Sequence, residues 1–141
     1  MSLIFTHAGE SEMLIRALKV DAGAADPWSI GLYVNDVHPL QTTTFAALVQ
    51  ATFPGYFRQN IDRALWAAPV LDGNRERSDY GGGFFEWVNS GPDTDVWGYF
   101  LLNSTSLTLL GAERFPAAVT IPATEKLRVQ LRVYSRSEAT S

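Results

Sequence analysis

The chain has 141 residues and a formal net charge of −4, and its composition already limits what kind of protein it can be. With 46% hydrophobic and 12% aromatic residues it lies outside the disordered range, and its length is that of a single domain. The absence of cysteine excludes disulfides, cysteine-ligated metals and thiol catalysis. The 15 acidic against 11 basic residues argue against a nucleic-acid-binding surface, because phosphate contacts need clustered lysine and arginine.

The charged fraction, 18%, is low for the surface of a free monomer. Either a partner covers part of the uncharged surface or serine and threonine keep the protein in solution. The first residues lack the pattern of a signal peptide, and no apolar run reaches the roughly 18 residues that cross a bilayer. We therefore expect a protein that does not enter a membrane.

A short helix is expected near the amino terminus. Met13, Leu14 and Leu18 share one helical face. Glu10 and Glu12 come just before them, where the positive end of a helix favours carboxylates.

Two early segments have the patterns of strands. Residues 28–34 have a strand composition that stops at Asn35. Residues 56–66 fit both helical and strand spacing, and we favour a strand. Residues 72–79 are polar and mixed in charge, which predicts an exposed excursion between strands.

The middle of the chain predicts a meander of three strands. Residues 84–88 and 96–102 are rich in aromatic and β-branched side chains, and the turn-forming residues 89–93 between them predict a hairpin. The polar residues 103–106 mark the next reversal before the strand that begins at Leu107.

The clearest strand pattern is the strict alternation of polar and apolar residues over 126–133. A period of two places the two kinds of residue on opposite faces of a strand. The inward row is Leu127, Val129, Leu131 and Val133, and the outward row is Lys126, Arg128, Gln130 and Arg132. This predicts one half-buried strand with a basic outer face.

The predicted fold class is mainly β. About seven or eight short strands at this spacing are typical of a β-sandwich, with a jelly roll as one form of it. We expect a single sandwich domain over residues 1–141, with a short N-terminal helix and with residues 1–8 as an N-terminal arm.

Motifs that carry chemistry are weak in this sequence. His7 and His38 lie on separate segments without metal-ligand spacing, and no serine lies in a Gly-x-Ser-x-Gly elbow. Asp93 and Asp95 are close enough to share a cation, but acidic turns are common without one. We therefore expect no catalytic site, no metal and no other cofactor, so that the protein is not an enzyme.

The tryptophans leave open a carbohydrate-binding module, because exposed indole rings stack on sugars. Tryptophan on a strand more often lies in the core, so we expect at most one exposed ring. The four are Trp28, Trp66, Trp87 and Trp97.

The order of several turns and aromatic segments along the chain is distinctive. They are Gly9 and Glu10 before the predicted helix, residues 32–37 with Pro39, residues 51–56, Trp66, residues 97–100, residues 112–115 and the terminal alternating strand. Together they resemble a group of small virion proteins of tailed bacteriophages. The resemblance implies a head decoration, or cement, protein that binds the outside of the capsid lattice, and it implies no catalytic residues.

The resemblance also implies partners and a location. The partner would be the major capsid protein, with no direct contact to nucleic acid or membrane, on the capsid exterior of a virion assembled in the host cytoplasm. A homotrimer suits threefold positions of such a lattice, because each capsid subunit then meets an equivalent surface. A tail or neck component is the main alternative within the virion.

Three groups of residues are the candidate partner contacts. The N-terminal arm is apolar enough to reach a neighbour as an added strand, and the basic side chains suit an acidic partner surface. The candidates are Leu3, Ile4 and Phe5 in the arm, Arg75 and Arg77 in the polar excursion, and Lys126, Arg128 and Arg132 on the last strand.

Overall fold

The computed structural model describes residues 3–6, 28–61, 70–72, 75–79, 81 and 83–134. This part of the chain is mainly β, with ten strands and one short 3-10 helix, η1 (Phe45–Ala47). The strands are β1 (Ile4–Phe5), β2 (Trp28–Tyr33), β3 (Gln59–Ile61), β4 (Val70–Asp72), β5 (Arg75–Asp79), β6 (Phe85–Val88), β7 (Thr94–Asn103), β8 (Thr108–Ile121), β9 (Lys126–Val129) and β10 (Arg132–Tyr134). The predicted N-terminal helix lies outside the described residues.

Five strands form the main sheet, in the order β1-β8-β7-β2-β3, and every neighbouring pair is antiparallel. Its longest pairing is the β7–β8 hairpin. In the turn of this hairpin the Asn103 side-chain oxygen accepts hydrogen bonds from the backbone N–H groups of Thr105 and Ser106, at 3.0 and 3.2 Å. The reversal predicted at residues 103–106 is therefore confirmed.

β6 forms a separate two-stranded sheet with β9, and β4, β5 and β10 form a three-stranded sheet in the order β10-β5-β4. The predicted hairpin between residues 84–88 and 96–102 is therefore wrong, although both segments are strands. β6 pairs with β9, whereas β7 pairs with β8 and β2.

The buried side chain of Asn89 lies where the chain leaves β6. Its backbone N–H donates to the Glu125 carbonyl at 2.9 Å, and its carbonyl accepts from the Thr124 N–H at 2.7 Å. Its side-chain amide donates to the Pro92 and Ile121 carbonyls at 2.7 and 2.9 Å. These long-range bonds keep the end of β6 beside β9, so the turn residues lead into another sheet and do not close a hairpin.

The alternating segment over residues 126–133 is divided between two sheets. β9 pairs with β6, whereas β10 pairs with β5, with Arg132 opposite Asp79. Val129 and Leu131 are buried, as the alternation predicted. The prediction of a single strand is wrong because the chain changes its pairing partner after Val129.

The described residues of the polar segment at 72–79, predicted as an exposed excursion between strands, themselves belong to strands. β4 and β5 pair there as an antiparallel hairpin, with Asp72 opposite Arg75. β10 pairs with the other side of β5. β5 thus has ladder partners on both sides, and its long-range pairing with β10 is a stabilisation that the polar composition does not reveal.

The main sheet shares a hydrophobic core with the β6–β9 sheet. Ile30 and Leu101 of the main sheet belong to the same buried cluster as Trp87 of β6 and Val129 of β9. Trp87 is fully buried, and its indole N–H donates to the Phe57 carbonyl at 2.8 Å. The β6–β9 sheet thus packs on one face of the main sheet.

The opposite face of the main sheet is covered by residues 34–50, which we call the cover segment. Phe45 and Leu48 of this segment pack in a second cluster with Tyr33, Phe100 and Leu102 of the main sheet. All six residues of β2 are buried as a result. The sequence predicted this strand, but its burial on both faces depends on the cover segment.

Candidate interaction surface

One face of the β6–β9 sheet is exposed and carries both charged and apolar side chains. The strand register places Glu86 opposite Arg128 and Val88 opposite Lys126. Phe84, which precedes β6, is 61% exposed and Val88 is 47% exposed. We call this surface the outer face and define it as Phe84, Glu86, Val88, Lys126 and Arg128.

The charges of the outer face are arranged around Glu86. One carboxylate oxygen, Oε2, lies 2.6 Å from Arg128 Nε, and the other, Oε1, lies 3.6 Å from Lys126 Nζ. The hydrogen bond from Arg128, together with the positive charge of Lys126, holds the pKa of Glu86 below its usual range. Glu86 is therefore ionised at neutral pH, and the two cations leave the outer face with a net positive charge.

The aromatic side chain of the outer face is placed beside this ion-pair group. The guanidinium carbon of Arg128 lies 5.8 Å from the centroid of the Phe84 ring, within the range of a cation–π contact. Exposed aromatic and arginine side chains are enriched in protein interfaces. The outer face therefore has the composition of a protein-binding surface.

A second charged cluster attaches the cover segment to the main sheet. Arg114 of β8 donates to Asp36 at 2.6 Å, and its guanidinium lies 4.8 Å from the centroid of a Trp97 ring. The exposed His38 imidazole is 3.9 Å from the same Asp36 oxygen. The hydrogen bond from Arg114 lowers the pKa of Asp36. Because Arg114 is engaged by Asp36 and Trp97, we assign this cluster a structural role.

Three tyrosines combine burial with internal hydrogen bonds. The Tyr99 hydroxyl donates to Glu113 at 2.6 Å, and the Tyr56 hydroxyl donates to Gln50 at 2.9 Å. Burial raises the pKa of Tyr33 and Tyr56 to about 12, and it also raises that of Tyr99. These hydroxyls therefore stay protonated at neutral pH and act as donors within the fold.

The N-terminal candidates lie on the chain's own main sheet. β1 pairs with β8, with Ile4 opposite Ala112 and Phe5 opposite Gly111, and Leu3 is buried in the core. In this structure the arm adds a short edge strand within one molecule. Its attachment to a neighbouring copy stays a prediction.

The basic candidates are separated by the strand pairing. Lys126 and Arg128 lie on β9, whereas Arg75, Arg77 and Arg132 lie on β5 and β10 of the three-stranded sheet. The predicted basic row of the last strand therefore does not form one continuous surface. Arg132 is opposite Asp79 in the other sheet.

Sequence reasoning missed three members of the outer face, namely Phe84, Glu86 and Val88. The sequence signal was Glu86 between Phe85 and Trp87, because a period of two places residues 84, 86 and 88 on the face opposite to residues 85 and 87. Phe85 and Trp87 are buried, while Phe84 and Val88 are exposed. Finding the surface also required knowing that β6 pairs with β9.

The described tryptophans and the paired aspartates are engaged within the fold. Trp28 and Trp87 are buried, Trp97 is half-buried beside Arg114, and Trp66 lies outside the described residues. Asp93 accepts a hydrogen bond from the Ala123 N–H at 3.0 Å, while Asp95 accepts one from the Thr120 hydroxyl at 2.6 Å.

The described residues contain neither a cluster of metal-ligating side chains nor a membrane-spanning helix. In the ranges listed above, no three histidine, cysteine, aspartate or glutamate side chains come together as a metal site would require. Among the residues that the structure describes, no helix is long and apolar enough to cross a membrane.

Comparison with known proteins leaves the family open. The chain matches no protein-family model and no curated protein sequence.

Proposed function

We propose that the protein is a structural component of a tailed-bacteriophage virion, a head decoration protein that binds the outer surface of the major capsid lattice and stabilises the head. The observation that carries this proposal is the outer face, where the exposed Phe84 and Val88 lie beside Lys126 and Arg128. A surface of this composition suits attachment to another protein.

The proposed architecture is a β-sandwich, with a jelly roll as the form that the number and spacing of the strands suggest. The cluster that joins Ile30 and Leu101 to Trp87 and Val129 supports two packed layers. The cover segment buries the other side of the main sheet. Such a module would hold the outer face in a fixed geometry, which lowers the entropy lost when it binds.

The proposed mechanism is the bridging of neighbouring capsid subunits. Each bound copy would contribute interface energy that opposes separation of the subunits. A homotrimer at threefold positions would attach through three equivalent contacts, and multivalency would strengthen contacts that are modest singly. The protein would thus act on the outside of the virion without catalysing a reaction.

Co-sedimentation with phage heads tests this function. The probe is the purified protein mixed with intact and with empty heads of the phage that encodes it, and the measurement is the number of bound copies per head. We expect binding to saturate when the number of bound copies at each lattice position is a multiple of three. Analytical ultracentrifugation of the free protein should give the mass of a trimer. Phe84→Ala should weaken binding at least about tenfold, because an exposed aromatic anchor is lost.

Leu40→Ala is the matched control, because Leu40 is 63% exposed but lies in the cover segment. It should bind heads as the unchanged protein does. Absence of binding to both kinds of head would refute the decoration function, and binding to purified tails would identify a tail or neck component. A free protein that stays monomeric at micromolar concentration would contradict the trimer.

A further inference from the structure

We infer that the outer face recognises an acidic protein surface, so that the capsid partner presents carboxylates to Lys126 and Arg128 and an apolar contact to Phe84. This inference deepens the proposed function and depends on it. It specifies the chemistry of the partner surface and the residues of this chain that bind it.

The exposure of the three charged side chains supports recognition through the cations. The Lys126 and Arg128 side chains are 48% and 53% exposed, whereas that of Glu86 is 35% exposed. An approaching surface therefore meets the ammonium and guanidinium groups before it meets the carboxylate between them. Both cations also have more N–H donors than Glu86 occupies in the two contacts described.

The sign of the outer face is opposite to that of the whole chain. The protein carries −4, while the outer face has two cations against one carboxylate. A basic partner would be attracted to the negative remainder of the surface. An acidic partner would be repelled by that remainder and directed to this face, which determines the orientation of binding.

The apolar side chains of the outer face complete the contact. Phe84 and Val88 are 61% and 47% exposed, and Arg128 lies against the Phe84 ring. Burial of the ring would remove water from around the guanidinium, and this strengthens its pairing with a partner carboxylate. The charged and apolar contacts are therefore expected to act together.

Substitution of Glu86 discriminates between partners. Removing its negative charge should strengthen binding to an acidic partner, but it should weaken binding to a partner that contacts the carboxylate. Glu86→Gln raises the net charge of the outer face, so it should tighten binding to heads about threefold or more at low salt. Arg128→Gln should weaken binding about tenfold. Binding of the unchanged protein should weaken as salt is added.

Two variants control for total charge. Asp95→Asn makes the same charge change as Glu86→Gln, and Thr105→Glu makes the same charge change as Arg128→Gln, but both lie outside the outer face. Both controls should bind heads as the unchanged protein does. Far-ultraviolet circular dichroism and thermal unfolding establish that each variant is folded.

The outcomes separate this inference from the proposed function. If the unchanged protein binds heads but Glu86→Gln and Arg128→Gln have no effect, the inference is overturned and the function stands. Weaker binding by Glu86→Gln would also overturn it, since the partner would then read the carboxylate. A shift in the free protein's sedimentation coefficient with Arg128→Gln would identify a second copy as the occupant. Failure of the unchanged protein to bind heads would overturn both proposals.

Discussion

The main sheet and the β6–β9 sheet both contain strands rich in large apolar side chains, but those strands lie in different surroundings. β2 in the main sheet is buried at all six positions, because the second sheet covers one face and the cover segment covers the other. β6 alternates between the buried Phe85 and Trp87 and the more exposed Glu86 and Val88. β2 therefore belongs entirely to the core, while β6 joins core to surface.

This difference separates stability from recognition within one fold. Burial on both faces leaves the centre of the main sheet little room for substitution. The β6–β9 sheet contributes one row of side chains to the core, and the residues of its exposed row can be substituted without disturbing that core. A new interaction surface is thus easier to place on β6 and β9 than on β2.

The largest expected effect is on the free energy of unfolding, when a buried side chain of β6 that packs against the main sheet is removed. Trp87→Ala removes a fully buried side chain and its hydrogen bond to the Phe57 carbonyl, so we expect a loss of about 3–5 kcal/mol in the free energy of unfolding. Urea denaturation followed by tryptophan fluorescence and circular dichroism measures it.

Val88→Ala is the control on the neighbouring position of β6. Val88 is 47% exposed, so its truncation should cost less than about 0.5 kcal/mol. Equal losses for the two variants would contradict the distinction between the inner and outer rows.

The next effect concerns the junction where the chain passes from the β6–β9 sheet to the main sheet. Asn89→Ala leaves the Pro92 and Ile121 carbonyls and the Gly91 N–H without this side-chain partner, and the site is buried. We expect a loss of about 2–4 kcal/mol in the free energy of unfolding, measured by urea denaturation.

Asn35→Ala is a matched comparison in the cover segment. Asn35 also bonds to backbone, to the Ala47 carbonyl and the Val49 N–H, but in an exposed setting. Water can replace those bonds, so the loss should be smaller than for Asn89→Ala. The reverse order would show that the cover segment, and not the junction, limits stability.

The smallest effect is the acid dependence of two ion-pair groups, one that joins the cover segment to the main sheet and one on the β6–β9 sheet. The pKa of Asp36 is lowered from 3.8 by its hydrogen bond to Arg114, and that of Glu86 is lowered from 4.5 by its hydrogen bond to Arg128. Since the folded state favours the ionised form, these pairs stabilise it above the unfolded pKa and lose that contribution as pH falls through the folded pKa.

Urea unfolding at neutral pH and at about pH 3 tests this dependence. Asp36→Asn and Glu86→Gln should each reduce the loss of stability between the two pH values. Added salt should shrink the difference, because exposed pairs are screened. An unchanged acid dependence in both variants would assign it to other carboxylates.

Part of the candidate surface was predictable from the sequence. The alternation over residues 126–133 identified Lys126 and Arg128 as outward residues, and both are exposed. The same pattern predicted Arg132 as an outward residue, and it is exposed, but it lies on β10, which pairs with β5 and not with β6. A period of two specifies which residues share a face, but it does not specify which strand lies alongside.

The hairpin predicted across residues 89–93 failed for a related reason. Turn residues indicate that the chain reverses, and that signal is local. The pairing was decided by the bonds between Asn89 and residues 124 and 125, which are distant in sequence. The polar residues of β5 likewise pair with β10, which lies more than 50 residues along the chain, as well as with the neighbouring β4.

The sequence by itself determined the mainly β class, most of the individual strands and the inward positions of side chains such as Val129 and Leu131. It did so because periodicity and side-chain shape act over a few neighbouring residues. The tertiary structure decided the strand pairing, the burial of the main sheet on both faces and the meeting of Phe84 and Glu86 with Arg128. These depend on hydrogen bonds and apolar contacts between distant segments, whose free energy is gained only when the whole chain folds.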